Sequence, residues 1–266
     1  MKRIKELTEK TVSFFFTQNI FMEAKGKRIV EVENLGMIDY KIAWDLQEKI
    51  FASLVENKIA NRNLSDENKI VPLHHLLFCE HNPVFTLGRN GDIKNLLIDE
   101  LTLAEKKIAF YKINRGGDIT FHGPGQFVGY PILDLDYFFT DIGKYLRLLE
   151  ESVILTLAEY GISAGRSVGE TGVWLEPNSP SRARKICAIG VKCSRWITMH
   201  GFAFNINTDL DYFNFIVPCG IQNKGVTSLH KELKKEINLH EVQQKWLKHF
   251  SQLFDAELIY RNNHSS

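Results

Sequence analysis

The densest run of chemically useful residues lies between Arg115 and Tyr130, Arg-Gly-Gly-Asp-Ile-Thr-Phe-His-Gly-Pro-Gly-Gln-Phe-Val-Gly-Tyr. Five glycines fall within these sixteen residues. Glycine loses more backbone entropy on folding than any other residue, so this is a costly way to build ordinary structure. Either the glycines make tight turns and bulges, or main chain here must approach a ligand closely and present N–H groups to it. Arg115 and His122 add a cation and a hydrogen-bonding ring. The stretch is not a phosphate loop, because no Gly-Lys-Ser/Thr follows Gly123-Pro-Gly-Gln, and it contains no GxGxxG opening a helix. In Arg182-Ala-Arg-Lys-Ile-Cys-Ala-Ile-Gly190, Lys185 starts an apolar strand directly after a loop. A lone lysine is ordinarily a solvated surface group, but from that position an ammonium can point into a cleft. In Ile216-Val-Pro-Cys-Gly-Ile221, Cys219 sits between Pro and Gly. It is either a buried structural thiol or a nucleophile held exposed on a stiff turn, and the residues alone leave both readings open. His74, His75, Cys79 and His81 invite a metal reading. Strand alternation sends His75, Cys79 and His81 to one face and His74 to the other, with spacings of no zinc site, so no metal ligands are assigned. Cys79, Cys187 and Cys193 read as core thiols.

Three helices and a set of strands must position these groups. Ile42, Leu46, Ile50 and Leu54 recur every four residues between Tyr40 and Asn57. Leu146, Leu149, Val153, Ile154 and Leu157 form a second stripe, with Asp141 as N-cap and Gly161 as stop. A third, from about His240 to Phe254, carries Val242, Trp246, Leu247 and Phe250. Strand-like runs are Arg28–Val32, Leu76–Leu87, Lys107–Asn114, Phe127–Leu135, Gly172–Leu175, Ile186–Val191 and Trp196–Asn205, with a surface loop over Glu176–Arg184. Helices and strands mix without a regular βαβ beat. The expectation is one α+β (mixed α/β) domain over residues 28–260, a mixed β-sheet packed with helices. An N-terminal extension (1–27) precedes it and a short tail (261–266) follows.

Composition narrows the function classes. The 266 residues are 44% hydrophobic and 24% charged, close to the globular average. With 33 basic and 32 acidic side chains, the chain lacks the basic excess of a protein that grips nucleic acid through phosphates. Four cysteines without a CxxC pair are too few for a disulfide scaffold. The start, Met-Lys-Arg-Ile-Lys, is basic and turns apolar, but Glu6 and Glu9 interrupt it and no small-x-small cleavage site follows. No stretch approaches the roughly 20 apolar residues needed to span a bilayer. A cytoplasmic location with neither membrane nor nucleic-acid partners is expected.

Taken together, the segments resemble the lipoyl(octanoyl) transferase family. The family pattern R-G-G-x-x-T-aromatic-H-x-x-G-Q-x-x-x-Y is met at Arg115, Gly116, Gly117, Thr120, Phe121, His122, Gly125, Gln126 and Tyr130. Glu80-His-Asn-Pro-Val-Phe-Thr-Leu-Gly88 precedes it. Lys185 with Ala188-Ile189-Gly190, then His200-Gly-Phe-Ala203 with Asn205, then Pro218-Cys-Gly-Ile221 follow in family order. Leu35-Gly36 with Tyr40 resembles the family's opening, and the likeness covers about residues 33–255. It implies the fold of biotin and lipoate protein ligase catalytic domains. It also implies a reaction without cofactor or metal: octanoyl moves from the phosphopantetheine thioester of acyl carrier protein to a lysine of lipoyl domains, those of 2-oxoacid dehydrogenases and glycine cleavage H protein. On this resemblance Cys219 is the acyl-thioester nucleophile and Lys185 lowers its pKa. Arg115, Gly116, Gly117, Asp118, Ile119, Thr120, Phe121 and His122 line the acyl pocket, with Ala188, Ile189, Gly190, Gly201, Phe202 and Ala203. Gly116, Gly117, Gly190 and Gly201 are expected to clear room for the chain. Arg182, Arg184, Lys192, Arg195 and Lys224 are expected to give the cleft a basic rim for an acidic carrier. An ATP-dependent lipoate or biotin protein ligase is the rival reading. It is disfavoured because Gly88-Arg-Asn-Gly-Asp lacks the biotin ligase's G-R-G-R-x-G pattern and because Lys185 and Cys219 would be idle. A non-catalytic acyl-binding module leaves the same two residues unexplained.

Overall fold

The computed structural model describes residues 28–217 and 225–261. The proposed 1–27 extension and residues 262–266 of the tail lie outside them. β1 (Ile29–Ile38), β2 (His74–His81), β6 (Gln126–Ile132), β8 (Arg184–Ser194), β9 (Ile197–Asn205), β10 (Gly225–Val226) and β11 (Glu257–Tyr260) form a large sheet. Its order is β10-β8-β9-β6-β2-β1-β11, and β7 (Val173–Leu175) pairs additionally with β8. The pairs β2–β6, β6–β9 and β9–β8 are antiparallel, while β1 pairs in parallel with both β2 and β11, and β10 in parallel with β8. The sheet is therefore mixed, as expected. β3 (Val84–Leu87), β4 (Ala109–Lys112) and β5 (Ile119–His122) make a second, small sheet ordered β4-β3-β5.

The continuous strand expected over Leu76–Leu87 is in fact two, divided at Asn82-Pro83. Proline offers no N–H to a ladder, so the chain leaves the large sheet there and begins the small one. That break sets the two sheets against each other, with the glycine-rich segment between them.

Helix α1 (Tyr40–Ala60) covers one face of the large sheet; α3 (Ile142–Ala158) and α5 (Leu239–Phe254) cover the other. Short α2 (Glu100–Glu105) and α4 (Leu229–Leu233) are additional. Asp39, Asp141 and Asn238 accept N–H bonds from the first turns of α1, α3 and α5, each cap worth about 1 kcal/mol. Gly161, at φ +74°, turns the chain after α3 as its position predicts. The core stripes of α3 and α5 are as expected: Leu149, Val153 and Leu157 are buried, and so are Val242, Trp246, Leu247 and Phe250. Trp246 packs 4.7 Å from the Phe202 ring and edge-on to Phe78. The stripe of α1 is corrected in part: Leu54 is buried and Leu46 and Ile50 pack half-buried on the core, as expected, but Ile42 does not. Tyr40, Ala43, Gln47, Phe51 and Leu54 face inward, and Ile42 is 60% exposed. A strict four-residue period overshoots a 3.6-residue turn by about 40° per step, so the expected stripe starts on the exposed side at Ile42 and reaches the buried face only by Leu54. No helix among the described residues is long and apolar enough to cross a membrane.

Candidate active site

Where the two sheets meet, main chain packs on main chain. The Gly116 N–H donates to the Val191 carbonyl at 2.9 Å, docking the glycine-rich segment on β8. Gly190 and Gly201 stand opposite each other in the β8–β9 register. A Cβ on Gly190 would lie 2.9 Å from the Gly116 oxygen, and one on Gly201 would collide with the Gly129 carbonyl. These two glycines are therefore needed so that strands and loop can close on one another. That corrects the expectation that they clear space for the acyl chain.

The closure surrounds a cavity of about 500 Å³. Its wall contains Arg115, Gly116, Gly117, Asp118, Ile119, Thr120, His122, Lys185, Ala188, Ile189, Gly190, Gly201, Phe202 and Ala203. Phe121 is the one expected lining residue that turns away. On β5, Thr120 and His122 face the cavity, so the intervening side chain points to the other side. There Phe121 stacks on Tyr212 at 4.5 Å and packs against Phe85 and Phe213. The wall also includes Tyr40, Tyr130, Leu146, Gly169, Glu170, Thr171, Val191 and His200. Of these, Tyr40, Tyr130 and His200 stood in motifs that the sequence reading marked without giving them a role.

Cys219 and Lys224 lie outside the described residues. The chain before them is tied down where the Val217 N–H donates to the Asn95 carbonyl at 2.8 Å. After them, Gly225 and Val226 pair in parallel with Arg184 and Lys185, and the Thr227 N–H donates to the Lys185 carbonyl at 2.9 Å. The Lys185 Nζ lies 4.6 Å from the centre of the Trp174 ring, a cation–π contact. Beside it, the loop carrying Gly169, Glu170 and Thr171 is anchored by Glu150. This fully buried carboxylate accepts from Arg166 Nε at 2.9 Å and from the Gly172 N–H at 3.0 Å. Together with Arg147, which also reaches this carboxylate at 2.7 Å, these contacts hold the loop in place.

A buried hydrogen-bond chain fixes the protons of a further set of side chains at the cavity. Asn205 Nδ2 donates to the Thr227 carbonyl, and Gln126 Nε2 donates to both Asn205 Oδ1 and the Phe121 carbonyl. The Gln126 oxygen must then accept from His122 Nδ1 (2.9 Å), which leaves His122 Nε2 bare, 3.4 Å from Thr86 Oγ1. Arg115 Nη2 donates to the same Thr86, to its carbonyl at 2.7 Å and its hydroxyl at 3.0 Å. By the same logic His81 gives its Nδ1 proton to the Ile38 carbonyl, so the Tyr130 hydroxyl donates to His81 Nε2 at 2.7 Å.

Burial, reinforced by nearby positive charge, pushes His122 and His200 down to about 3; burial does the same to His74. These three histidines are thus neutral throughout the working pH range. Their folded pKa is depressed below the unfolded value near 6.5, so the unfolded chain binds more protons between these limits. Their stabilising contribution is complete above pH 6.5 and is lost as pH falls toward 3. Unfolding titrations from pH 6.5 to 5, above most carboxylate titration, should lose up to about 1.4 kcal/mol per pH unit for each of the three histidines. A flat stability over that window would show that these rings are not held neutral.

The expected basic rim is largely neutralised. Arg182 and Arg184 pair with Glu176, Arg184 also with Glu232, and Lys192 with Glu48.

With this geometry in hand, the comparisons with known proteins are specific. Residues 39–251 match the family described as the lipoyl protein ligase A/B catalytic domain. An octanoyltransferase of Christiangramia forsetii is 64% identical over 233 residues, covering 87% of this chain and 98% of that protein. An octanoyltransferase of Flavobacterium johnsoniae is 59% identical over 231 residues, covering 86% and 98%. Among solved structures, a bipartite lipoate protein ligase of Thermoplasma acidophilum superposes with a TM-score of 0.60 at 14% identity, over 88% of this chain and 86% of that one, a likeness of fold alone. The chain belongs to the lipoyl protein ligase A/B catalytic domain family, and these two relatives within it are octanoyltransferases.

Proposed function

We propose that the chain transfers octanoyl from the phosphopantetheine thioester of an acyl carrier protein to a lysine amine of lipoyl domains, through a thioester on Cys219. The acceptors are the lipoyl domains of 2-oxoacid dehydrogenases and the glycine cleavage H protein. The observation that carries the reading is the cavity bounded by both Ala188–Val191 and Gly201–Ala203, with Lys185 in its wall. The strand that resumes six residues after Cys219 is stitched to Lys185 itself. The octanoyltransferase relatives support the acyl group and the reaction type.

In the first half-reaction the Cys219 thiolate attacks the donor carbonyl, a C–S bond forms, and the pantetheine sulfur leaves with the electron pair and takes up a proton. In the second, the acceptor amine attacks the acyl-enzyme and the amide C–N bond forms as the acyl C–S bond breaks. Cys219 departs as thiolate, and the proton lost by the amine goes to solvent, balancing the one taken up by the pantetheine sulfur. Exchange between two thioesters is nearly isoenergetic and thioester to amide is downhill, so no ATP enters. The Lys185 ammonium stabilises the thiolate in each step. Cys79, Cys187 and Cys193 are free thiols, as suits the reducing cytoplasm in which we place the reaction.

Mixing the enzyme with octanoyl-carrier protein alone and weighing it is the test. A gain of one octanoyl group without ATP is expected. A mass that stays unchanged until ATP and free octanoate are supplied would assign the chain to the ligases instead.

A further inference from the structure

Attack on a thioester pushes negative charge onto the carbonyl oxygen, and an enzyme lowers that barrier with hydrogen-bond donors already aimed at it. The cavity wall is unevenly supplied with them. His122 presents a bare Nε2, and Tyr130 has committed its proton to His81. His200 donates Nε2–H to Asn114 Oδ1, which leaves its buried Nδ1 an acceptor. Thr120 and Thr171 are only half-buried, so their hydroxyls remain in reach of water.

Tyr40 differs from all of these. It is 4% exposed, lines the cavity, and no group among the described residues hydrogen-bonds its hydroxyl. Its ring is gripped between His122 (5.8 Å, interplanar 16°) and Tyr111 (5.6 Å, 22°), with His81 edge-on at 5.1 Å. The backbone beneath it is fixed too, because the Asp39 N-cap starts α1 at this residue and His81 holds the Ile38 carbonyl. The Tyr40 oxygen is not among the partnerless polar atoms sealed away from the cavity space, which include Gln47 Nε2, His200 Nδ1 and Trp246 Nε1. A rigid, buried phenol with an uncommitted O–H therefore opens on the reaction cavity. Burial raises its pKa far above neutral, so the proton is present at every working pH.

We propose that Tyr40 is a further catalytic residue, donating its O–H to the carbonyl oxygen of the octanoyl thioester during acyl transfer. The proposal rests on the Cys219 thioester reading above. The phenol keeps its proton throughout; it makes a hydrogen bond that strengthens as the oxygen gains charge, and no bond to it is broken.

Tyr40→Phe removes one oxygen and keeps the aromatic stack. Single-turnover loading from octanoyl-carrier protein should slow about a hundredfold, the cost of one oxyanion donor, with KM nearly unchanged. Infrared difference spectra of acyl-enzyme carrying a ¹³C-labelled carbonyl supply a readout that a packing role would not move. The carbonyl band should shift to higher frequency in Tyr40→Phe. It should shift lower when a fluorotyrosine, a stronger donor, occupies position 40, a variant that also serves if Tyr40→Phe does not fold. Tyr260→Phe, at an exposed phenol on β11 outside the cavity wall, should load normally. Wild-type loading and an unmoved band in Tyr40→Phe would overturn the proposal. A wild-type enzyme that acquires no octanoyl group at all would instead overturn the thioester reading.

Discussion

Cys219→Ser is expected to abolish the acyl-enzyme and to cut turnover by about a thousandfold or more. A thiol near pKa 8.5 is a few per cent thiolate at neutral pH and already nucleophilic, whereas a serine hydroxyl supplies no alkoxide there. The other three cysteines cannot substitute. Burial pushes the Cys79 and Cys187 thiols far up, and Cys193, half-buried, is raised for the same reason. Serine at any of those three positions should disturb packing and leave octanoyl loading within a few-fold of normal. Mass spectrometry of the loaded enzyme after proteolysis decides the matter. Octanoyl found on a peptide carrying Cys79, Cys187 or Cys193, or normal turnover in Cys219→Ser, would refute the nucleophile assignment.

Lys185→Ala should move the alkylation profile of Cys219 upward by about one to three pH units, the range set by an opposite charge within a few ångströms. At pH 7 that removes most of the thiolate, so loading and transfer should both slow by about ten- to a hundredfold. The measurement is cleanest with Cys79, Cys187 and Cys193 changed to Ser, so that only one thiol reacts with iodoacetamide. Losing the ammonium also removes the cation–π contact with Trp174, a packing change that would lower stability without moving a titration. The pH profile therefore separates the two roles. A profile that overlays the wild type would show that Lys185 does not tune the thiol.

What was legible in the sequence was chiefly order and chemistry; what was not was direction. The core stripes of α3 and α5 could be read because their spacing follows the helical period, with Asp141 marking where α3 begins. In α1 the four-residue spacing pointed at Ile42, while a buried amide, Gln47, occupied the inward face and capped the His200 N–H at 3.1 Å. An inward glutamine breaks the hydrophobic pattern from which stripes are inferred. The small sheet was hidden because its strands are four residues each and one lies inside the glycine-rich segment. The cavity residues were named almost entirely from motif resemblance. Phe121 was included because a contiguous motif does not say which side chains alternate away. The glycines were noticed correctly, yet the reason for Gly190 and Gly201 lies in carbonyl oxygens contributed by distant segments. The charges of Arg182, Arg184 and Lys192 were visible, but their carboxylate partners Glu176, Glu232 and Glu48 include residues 48 and 144 positions away in the chain.

On the proposal that this cavity holds the octanoyl chain, redesign for a different chain length can proceed on only one part of its wall. Arg115, Thr86, His122, Gln126, Asn205 and Thr227 form one directed run of hydrogen bonds in which each group's donor or acceptor role is dictated by the next. Gln126→Glu would preserve the shape but remove the Nε2 donor required by Asn205 Oδ1 and the Phe121 carbonyl, stranding two buried acceptors at about 1–3 kcal/mol each. The apolar part of the wall, with Leu146, Ala188, Ile189 and Phe202, carries no such chain of obligations in its side chains. Enlarging or filling there trades only volume against packing. An engineer seeking shorter or longer acyl groups would recut that apolar wall and leave the hydrogen-bonded wall intact.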